Sequence, residues 1–84
     1  MPTPHVVKVY LAIKESKSWL SANQIANSTD VSADTVRRQL RELTKLGIFE
    51  KAEFFPEYLY KLSGNASNLE YTAELERARE IMNL

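Results

Sequence analysis

The residues best placed to do chemistry are four cations in one short stretch, SADTVRRQLRELTKLGIF: Arg37, Arg38, Arg41 and Lys45. An arginine guanidinium can donate two hydrogen bonds to guanine in the major groove of DNA, and other cations can neutralise phosphates. At 100° per residue, the last three cations fall together with Asp34 on one side of a helix, and Arg37 lies beside them. The spacing therefore predicts one charged helical face that could bind a nucleic acid.

The same stretch carries the signals that would position this face. Val36, Leu40 and Leu43 form an apolar stripe opposite the cations. Ser32 is a suitable N-cap, and Gly47 stands where a left-handed residue is wanted after the last turn. We therefore predict a helix over residues 32–46, with Asp34 in its first turn, where a negative charge suits the helix dipole.

Catalytic and metal-binding chemistry lack the residues they need. The chain has no cysteine and one histidine, His5, so neither a zinc site nor a Cys-His nucleophile pair can be assembled. Neither Gly47 nor Gly64 belongs to a phosphate-binding glycine motif. The sequence predicts that the protein is not an enzyme and needs no cofactor or metal.

The charges are unevenly distributed although the 84-residue chain is formally neutral. Residues 1–47 hold seven basic against four acidic residues, whereas residues 48–84 hold four against seven. No apolar run approaches the roughly 20 residues of a membrane span, and the N-terminus lacks the pattern of a signal peptide. We expect a single cytoplasmic domain with no membrane segment.

The remaining elements follow from periodicity and caps. The patterns predict helices over residues 4–16 and 22–27, a brief extended segment around Trp19, and a last helix from Ser67 or Asn68 to about Met82. After Gly47 the pattern alternates, which predicts two antiparallel strands joined near residues 53–57. The expected fold class is α+β, mainly α.

The segments SANQIANSTDVSADTVRRQLRELTKLGIFEK and YLYKLS resemble the winged helix-turn-helix domain of bacterial, archaeal and viral transcription regulators. The matching positions are Ser32, Thr35, Val36, Arg38, Leu40, Leu43, Leu46, Gly47 and Ile48. The resemblance implies a three-helix core, a wing of two to three strands, and a recognition helix over residues 32–46. It covers about half of the chain.

The resemblance implies a DNA-binding surface on the recognition helix. Its residues are Ser32, Asp34, Thr35, Arg37, Arg38, Arg41 and Lys45. We expect the arginines to contact DNA and the two hydroxyl residues to contact phosphates near the helix N-terminus. The predicted function is a sequence-specific double-stranded DNA-binding transcription regulator, with no small-molecule ligand evident.

The wing departs from the family pattern because its tip is acidic and aromatic. Glu53 and Glu57 flank Phe54, Phe55 and Pro56, and acids near phosphates would oppose insertion into the minor groove. We expect one or both phenylalanines to fold back onto the core. The alternative is an exposed tip that meets a protein, in which case the chain is a protein-interaction module or a subunit of a nucleoprotein assembly.

The last helix carries an apolar seam formed by Tyr71, Leu75, Ala78 and Met82. The seam either joins two copies in a homodimer, which we favour, or packs against the first helix of the same chain. We therefore divide the chain into a winged helix-turn-helix domain, residues 1–65, and a C-terminal helix that could act in dimerisation, residues 66–84.

Overall fold

Four helices and three short strands make up the part of the chain that the structure, a computed structural model, describes: residues 2–54, 56–64 and 68–84. In chain order they are α1 (Pro4–Ser16), β1 (Leu20–Ser21), α2 (Ala22–Thr29), α3 (Ala33–Lys45), β2 (Phe49–Phe54), β3 (Glu57–Leu62) and α4 (Leu69–Met82). The mainly helical α+β class is confirmed. The helix predicted over 22–27 continues to Thr29.

The helix starts are fixed by side chains that accept hydrogen bonds from free backbone N–H groups. Ser21 and Gln24 form a capping box at the start of α2, with hydrogen bonds of 2.8 and 3.2 Å. The Asn68 side chain caps α4 by accepting from the N–H of Tyr71 at 3.2 Å. Ser67, the other predicted start of this helix, lies outside the described residues.

A tight turn sets the angle between α2 and α3. Asp30 ends α2 in the left-handed conformation, with φ of 60°. Val31 then enters the core with 4% of its surface exposed, as its apolar character predicts. The Ser32 side chain caps α3 one residue later, so the two helices are joined by a short connection with little freedom to vary.

The three strands form an antiparallel sheet in the order β1-β3-β2. Gly47, with φ of 80°, lets the chain leave α3 and turn into β2. In the hairpin, Phe49 pairs with Leu62 and Lys51 pairs with Tyr60. Phe49 and Tyr60, which lie on the same face of the sheet, are buried. This face therefore packs on the helices, and the far end of the hairpin projects beyond them.

One hydrophobic core unites all four helices with the base of the sheet. Its fully buried large side chains are Val7, Val9 and Ile13 of α1, Ile25 of α2, Val36, Leu40 and Leu43 of α3, and Leu75 of α4. α4 is therefore part of the same core as the other helices. Within the described ranges, no helix has the length and apolar character to cross a bilayer.

A polar cluster ties α4 to α1 at the edge of this core. The Tyr10 hydroxyl donates to Glu76 Oε1 at 3.1 Å, and Lys14 forms an ion pair with the same oxygen. Burial raises the pKa of Tyr10 to about 12, and its hydrogen bond to Glu76 adds to the effect. The hydrogen bond from Lys14 holds the pKa of Glu76 below its usual range, although burial acts in the opposite direction.

Candidate nucleic-acid interface

Helix α3, which carries the predicted DNA-binding residues, is oriented by its buried stripe. Val36, Leu40 and Leu43 have no exposed surface, so they fix the rotation of α3 about its axis. Arg38 and Arg41 consequently lie on the exposed side. The remaining charged members of the predicted DNA-binding set, Asp34, Arg37 and Lys45, are exposed as well.

The cations of α3 differ in their partners. Arg37 donates to Asp34 Oδ1 at 3.3 Å and to Asn23 Oδ1 at 3.4 Å, so its guanidinium lies along the side of α3 toward α2. Arg38, Arg41 and Lys45 make no ion pair or hydrogen bond with any residue that the structure describes. These three side chains can therefore bind a ligand without first breaking an ion pair or hydrogen bond to a described residue.

The two hydroxyl residues at the start of α3 are engaged in capping. Ser32 Oγ accepts from the N–H of Thr35 at 3.3 Å and donates to Thr35 Oγ1 at 3.0 Å. Ser32 is exposed and Thr35 is half-buried. They remain next to the positive end of the helix dipole, where anions such as phosphates are favoured.

A cleft between α2 and the wing brings Arg37 together with residues that the sequence analysis did not include in the site. Asn23, Tyr58 and Tyr60 line this cleft with Arg37. Lys51 stands on the same side of the hairpin, with Nζ 4.7 Å from the centre of the Tyr58 ring. Arg37 and Tyr58 are 21 positions apart in the sequence, so only the tertiary fold brings them together. The alternation along β3 was the available signal, since it placed Tyr58 and Tyr60 on one face.

Phe54 at the wing tip does not fold back onto the core. Phe54 is 57% exposed, because it pairs with Glu57 at the end of the hairpin and points away from the face that packs on the helices. Phe54 therefore does not pack on the core, and the expectation that one or both phenylalanines do so now depends on Phe55, which lies outside the described residues. Glu53 and Glu57 are exposed beside it, so the described tip is both acidic and apolar.

The apolar seam of α4 packs within its own chain. Leu75 and Ala78 are buried, and Tyr71 and Met82 pack against the core beside them. This is the arrangement in which the seam contacts the first helix, and it leaves Leu75 and Ala78 with no surface for a second copy. A dimer through α4 would need another face of this helix, and homodimerisation itself stays a prediction.

The family model for the helix-turn-helix domain matches residues 3–48, which is more than half of the chain. The chain therefore belongs to the helix-turn-helix domain family. In DNA-binding members of this class, the second helix of the two-helix motif lies in the major groove. The family points to DNA binding rather than to catalysis. A comparison with curated protein sequences finds no match.

Solved structures share the winged-helix fold at low sequence identity. A possible transcriptional regulator from Methanosarcina mazei is 15% identical, with a TM-score of 0.70 over 96% of this chain and 72% of its own. BpsR of Bordetella bronchiseptica, whose DNA binding is regulated by 6-hydroxynicotinic acid, is 17% identical, with a TM-score of 0.71 over 92% of this chain and 56% of its own. At these identities, the likeness shows the fold.

The same fold also occurs within a much larger protein. Human N-acetylserotonin methyltransferase is 15% identical, with a TM-score of 0.63 over 71% of this chain. The chain spans only 17% of the length of that methyltransferase and 56% of BpsR. The match therefore concerns one part of each larger protein.

Proposed function

We propose that the chain is a sequence-specific double-stranded DNA-binding transcription regulator that reads the major groove with α3 and acts as a homodimer. The observation that carries the proposal is the face of α3 on which Arg38, Arg41 and Lys45 are exposed and uncommitted. The helix-turn-helix family and the winged-helix regulators of similar fold support it. A cytoplasmic location, where such a regulator would meet DNA, is part of the proposal.

The partners of each side chain suggest a division of roles. Arg38 and Arg41 project from the middle of the exposed face and suit guanine edges. Arg37 is held toward α2 by Asn23, so it suits a phosphate at the rim of the groove, as do Ser32, Thr35 and Lys45. Asp34 has 95% of its side chain exposed and can accept a hydrogen bond from a cytosine amino group.

The test is selection of bound duplexes from a random library, followed by titration of the selected sequence. Arg38→Gln and Arg41→Gln should each weaken binding by roughly 10-fold or more and relax the preference at one base position. Arg37→Gln should weaken all duplexes alike and lower the salt slope by about 1. Lys8→Gln removes one positive charge from α1, away from α3, and should change neither the affinity nor the salt slope. Unchanged binding by all three arginine variants would contradict the proposal.

One observation favours a second function, a protein-interaction module. Phe54 is 57% exposed between two acids, and such a tip suits an apolar socket with a basic rim on another protein. If no duplex is bound at low salt, and a purified partner loses binding to Phe54→Ser, this function replaces the first.

A further inference from the structure

The wing ends in an apolar side chain that lies between two acids. Phe54 is 57% exposed, and Glu53 and Glu57 beside it are exposed as well. We call these three residues the tip. Neither carboxylate forms an ion pair or a hydrogen bond with any residue that the structure describes. The tip therefore suits a surface that is apolar at its centre and basic at its edge.

A surface that is both apolar and basic lies at the other end of the same hairpin. The ends of α1 and β3 enclose a depression of about 260 Å³, which we call the socket. Ile13 and Leu62 supply its apolar part. A cavity of roughly 150 Å³ already accepts benzene, so the socket has room for a phenyl ring. The other residues that line it are Lys14, Lys17, Ser18 and Lys61.

The socket remains positive after its own ion pairs are counted. Lys17 is exposed and forms no ion pair or hydrogen bond within the described part of the chain. Glu15 lies on another side of α1, where it lines a groove shared with α2. The charged residues at or beside the socket leave a net charge of +2: Lys14, Lys17, Lys61, Arg79, Glu50 and Glu76.

We propose that the tip of one copy of the chain inserts into the socket of a second copy, and that the exchange is mutual. Phe54 contacts the apolar part of the socket, and the two acids of the tip face Lys17 and Lys61 at its edge. The tip cannot reach the socket of its own chain. Glu57 and Leu62 are five residues apart along β3, which corresponds to about 17 Å.

A two-fold axis accommodates both contacts at once. Tip and socket lie at opposite ends of one hairpin, so two hairpins laid antiparallel bring each tip to the socket of the other copy. Phe54 and Lys61 lie on the same face of the sheet, the face turned away from the helices. Ala52 and Leu59, which are half-buried, lie between them on this face, so no charge is buried there. Such a surface is self-complementary, as a two-fold interface requires.

The inference rests on the proposed function in one respect, since it names the surface through which the proposed homodimer forms. Tip and socket share no residue with the exposed face of α3, so both copies of α3 remain free to bind DNA. Each contact involves few residues, and the interface should be smaller than the standard size of roughly 1,600 Å². We therefore expect a dissociation constant in the micromolar range.

Sedimentation equilibrium of the full chain tests the proposal. The wild type should show a monomer–dimer equilibrium, and Phe54→Ser should weaken it roughly 10-fold or more. Leu69→Ser is the matched control, because Leu69 is 67% exposed on α4, and it should leave the equilibrium unchanged. Circular dichroism checks that both variants are folded. A monomeric wild type, species larger than a dimer, or equal association of wild type and Phe54→Ser would each overturn the proposal.

Charge reversal tests the pairing of tip with socket. Glu53→Lys/Glu57→Lys and Lys17→Glu/Lys61→Glu should each weaken the dimer roughly 10-fold or more, because tip and socket then carry like charges. An equimolar mixture of the two variants should associate again, since each tip then meets a socket of opposite charge. Failure of this mixture to associate would contradict the proposed pairing.

The control for this rescue is a variant with the same net charge as the tip variant. Glu74→Lys/Glu80→Lys places that charge on α4, and mixing it with Lys17→Glu/Lys61→Glu should restore nothing. Equal rescue by both partners would show attraction between oppositely charged proteins in place of a specific contact, and would overturn the proposal.

The single tryptophan of the chain reports on the socket directly. Lys61 Nζ lies 5.0 Å from the centre of the Trp19 ring, so insertion of a tip beside Lys61 should change the fluorescence of Trp19. The emission of the wild type should therefore depend on protein concentration over the range in which the dimer forms. Phe54→Ser should lose this dependence and Leu69→Ser should keep it, and emission that is constant through dimerisation would place the interface elsewhere.

DNA binding by α3 is measured separately. A short duplex that accommodates one chain should bind Phe54→Ser as tightly as the wild type. A monomeric wild type that binds this duplex removes only the inference about tip and socket. A dimer that depends on Phe54 and binds no duplex removes DNA binding from the proposed function and leaves the interface standing.

Discussion

At the scale of single residues, Arg37 differs from its neighbours because its guanidinium already has two partners. Asp34 and Asn23 hold it at the border between α3 and α2. The Asp34–Arg37 pair is exposed, so it contributes little to stability, typically below about 1 kcal/mol. Its effect is therefore on where a positive charge is presented to a ligand.

We expect Asp34→Asn to raise the affinity for DNA and to reduce discrimination between base sequences. Removing a negative charge from the proposed interface lowers repulsion with phosphates, so affinity for any duplex should rise at low salt. Asparagine keeps one acceptor oxygen but adds an amide donor that suits adenine, so discrimination in favour of cytosine at one base position should fall by roughly 10-fold. Competition titrations with the selected and a scrambled duplex measure both effects. Asp30→Asn, which changes the same charge before α3, should leave discrimination unchanged, and equal effects of the two substitutions would contradict this role.

Leu40 fixes the rotation of α3, because its side chain is wholly buried opposite the cations. We expect Leu40→Ala to lower the free energy of unfolding by about 2–5 kcal/mol through lost burial and a residual cavity. Leu46→Ala at the end of the same helix should cost less, since Leu46 is 38% exposed. Urea unfolding measures both, and comparable losses in the two variants would show that the burial of Leu40 does not orient the helix.

At the scale of elements, the wing presents an acidic end to anything that approaches α3. Glu57 lines the cleft with Arg37 and Tyr58, and Glu53, which pairs with Tyr58 in the hairpin, is exposed as well. If the wing lies near phosphates in the complex, the double variant Glu53→Lys/Glu57→Lys should raise affinity at least 10-fold at low salt. The salt slope should increase by up to about 2, or roughly 0.9 for each new phosphate contact.

The control for the wing variant is Glu15→Lys/Glu80→Lys, which makes the same change in net charge on α1 and α4. It should leave the salt slope near the wild-type value. Equal slopes for both double variants and the wild type would place the wing outside the reach of the DNA.

The elements also show why some of the site followed from the sequence and some did not. The limits and rotation of α3 were predictable because Ser32, Gly47 and the spacing of Val36, Leu40 and Leu43 act within one helix. The exposure of Phe54 could not be predicted, because it depends on the pairing of β2 with β3 and on where the hairpin leaves the core. The cleft at Tyr58 likewise required the tertiary fold.

α4 gives a second example, in which periodicity left two interpretations open. Tyr71, Leu75, Ala78 and Met82 suit either a dimer seam or packing on α1, since both need one apolar face. The deciding fact is the wide apolar surface of α1, which α4 covers in the same chain. The sequence identified the face correctly and could not identify its partner.

At the scale of the whole molecule, the neutral chain separates its charges in space. The exposed cations of α3 lie on one side, and the acids of the wing and α4 account for the negative half of the sequence. A local positive face can steer DNA toward α3 despite zero net charge, and the acids disfavour other orientations. This separation depends on α4 staying docked on α1.

The docking of α4 on α1 should make the free energy of unfolding depend on pH in the acidic range. The pKa of Glu76 is lowered in the folded state, chiefly by the hydrogen bond from Lys14, so folding favours its charged form. The resulting stability is present above the unfolded pKa, near 4.5, and is lost as pH falls through the lower folded pKa. Glu76→Gln should therefore destabilise the protein at pH 7, and its deficit should shrink toward pH 3.

Urea unfolding of the wild type and of Glu76→Gln at several pH values measures this deficit directly. Glu80→Gln is the matched control, because Glu80 is an exposed acid of the same helix with no ion pair to a described residue. In the alkaline range, the raised pKa of Tyr10, about 12, has the opposite effect. The contribution of Tyr10 to the free energy of unfolding is present below about pH 10 and is lost as pH rises through 12. A deficit for Glu76→Gln that stays constant from pH 7 to pH 3 would show that the ionised carboxylate does not hold α4 on α1.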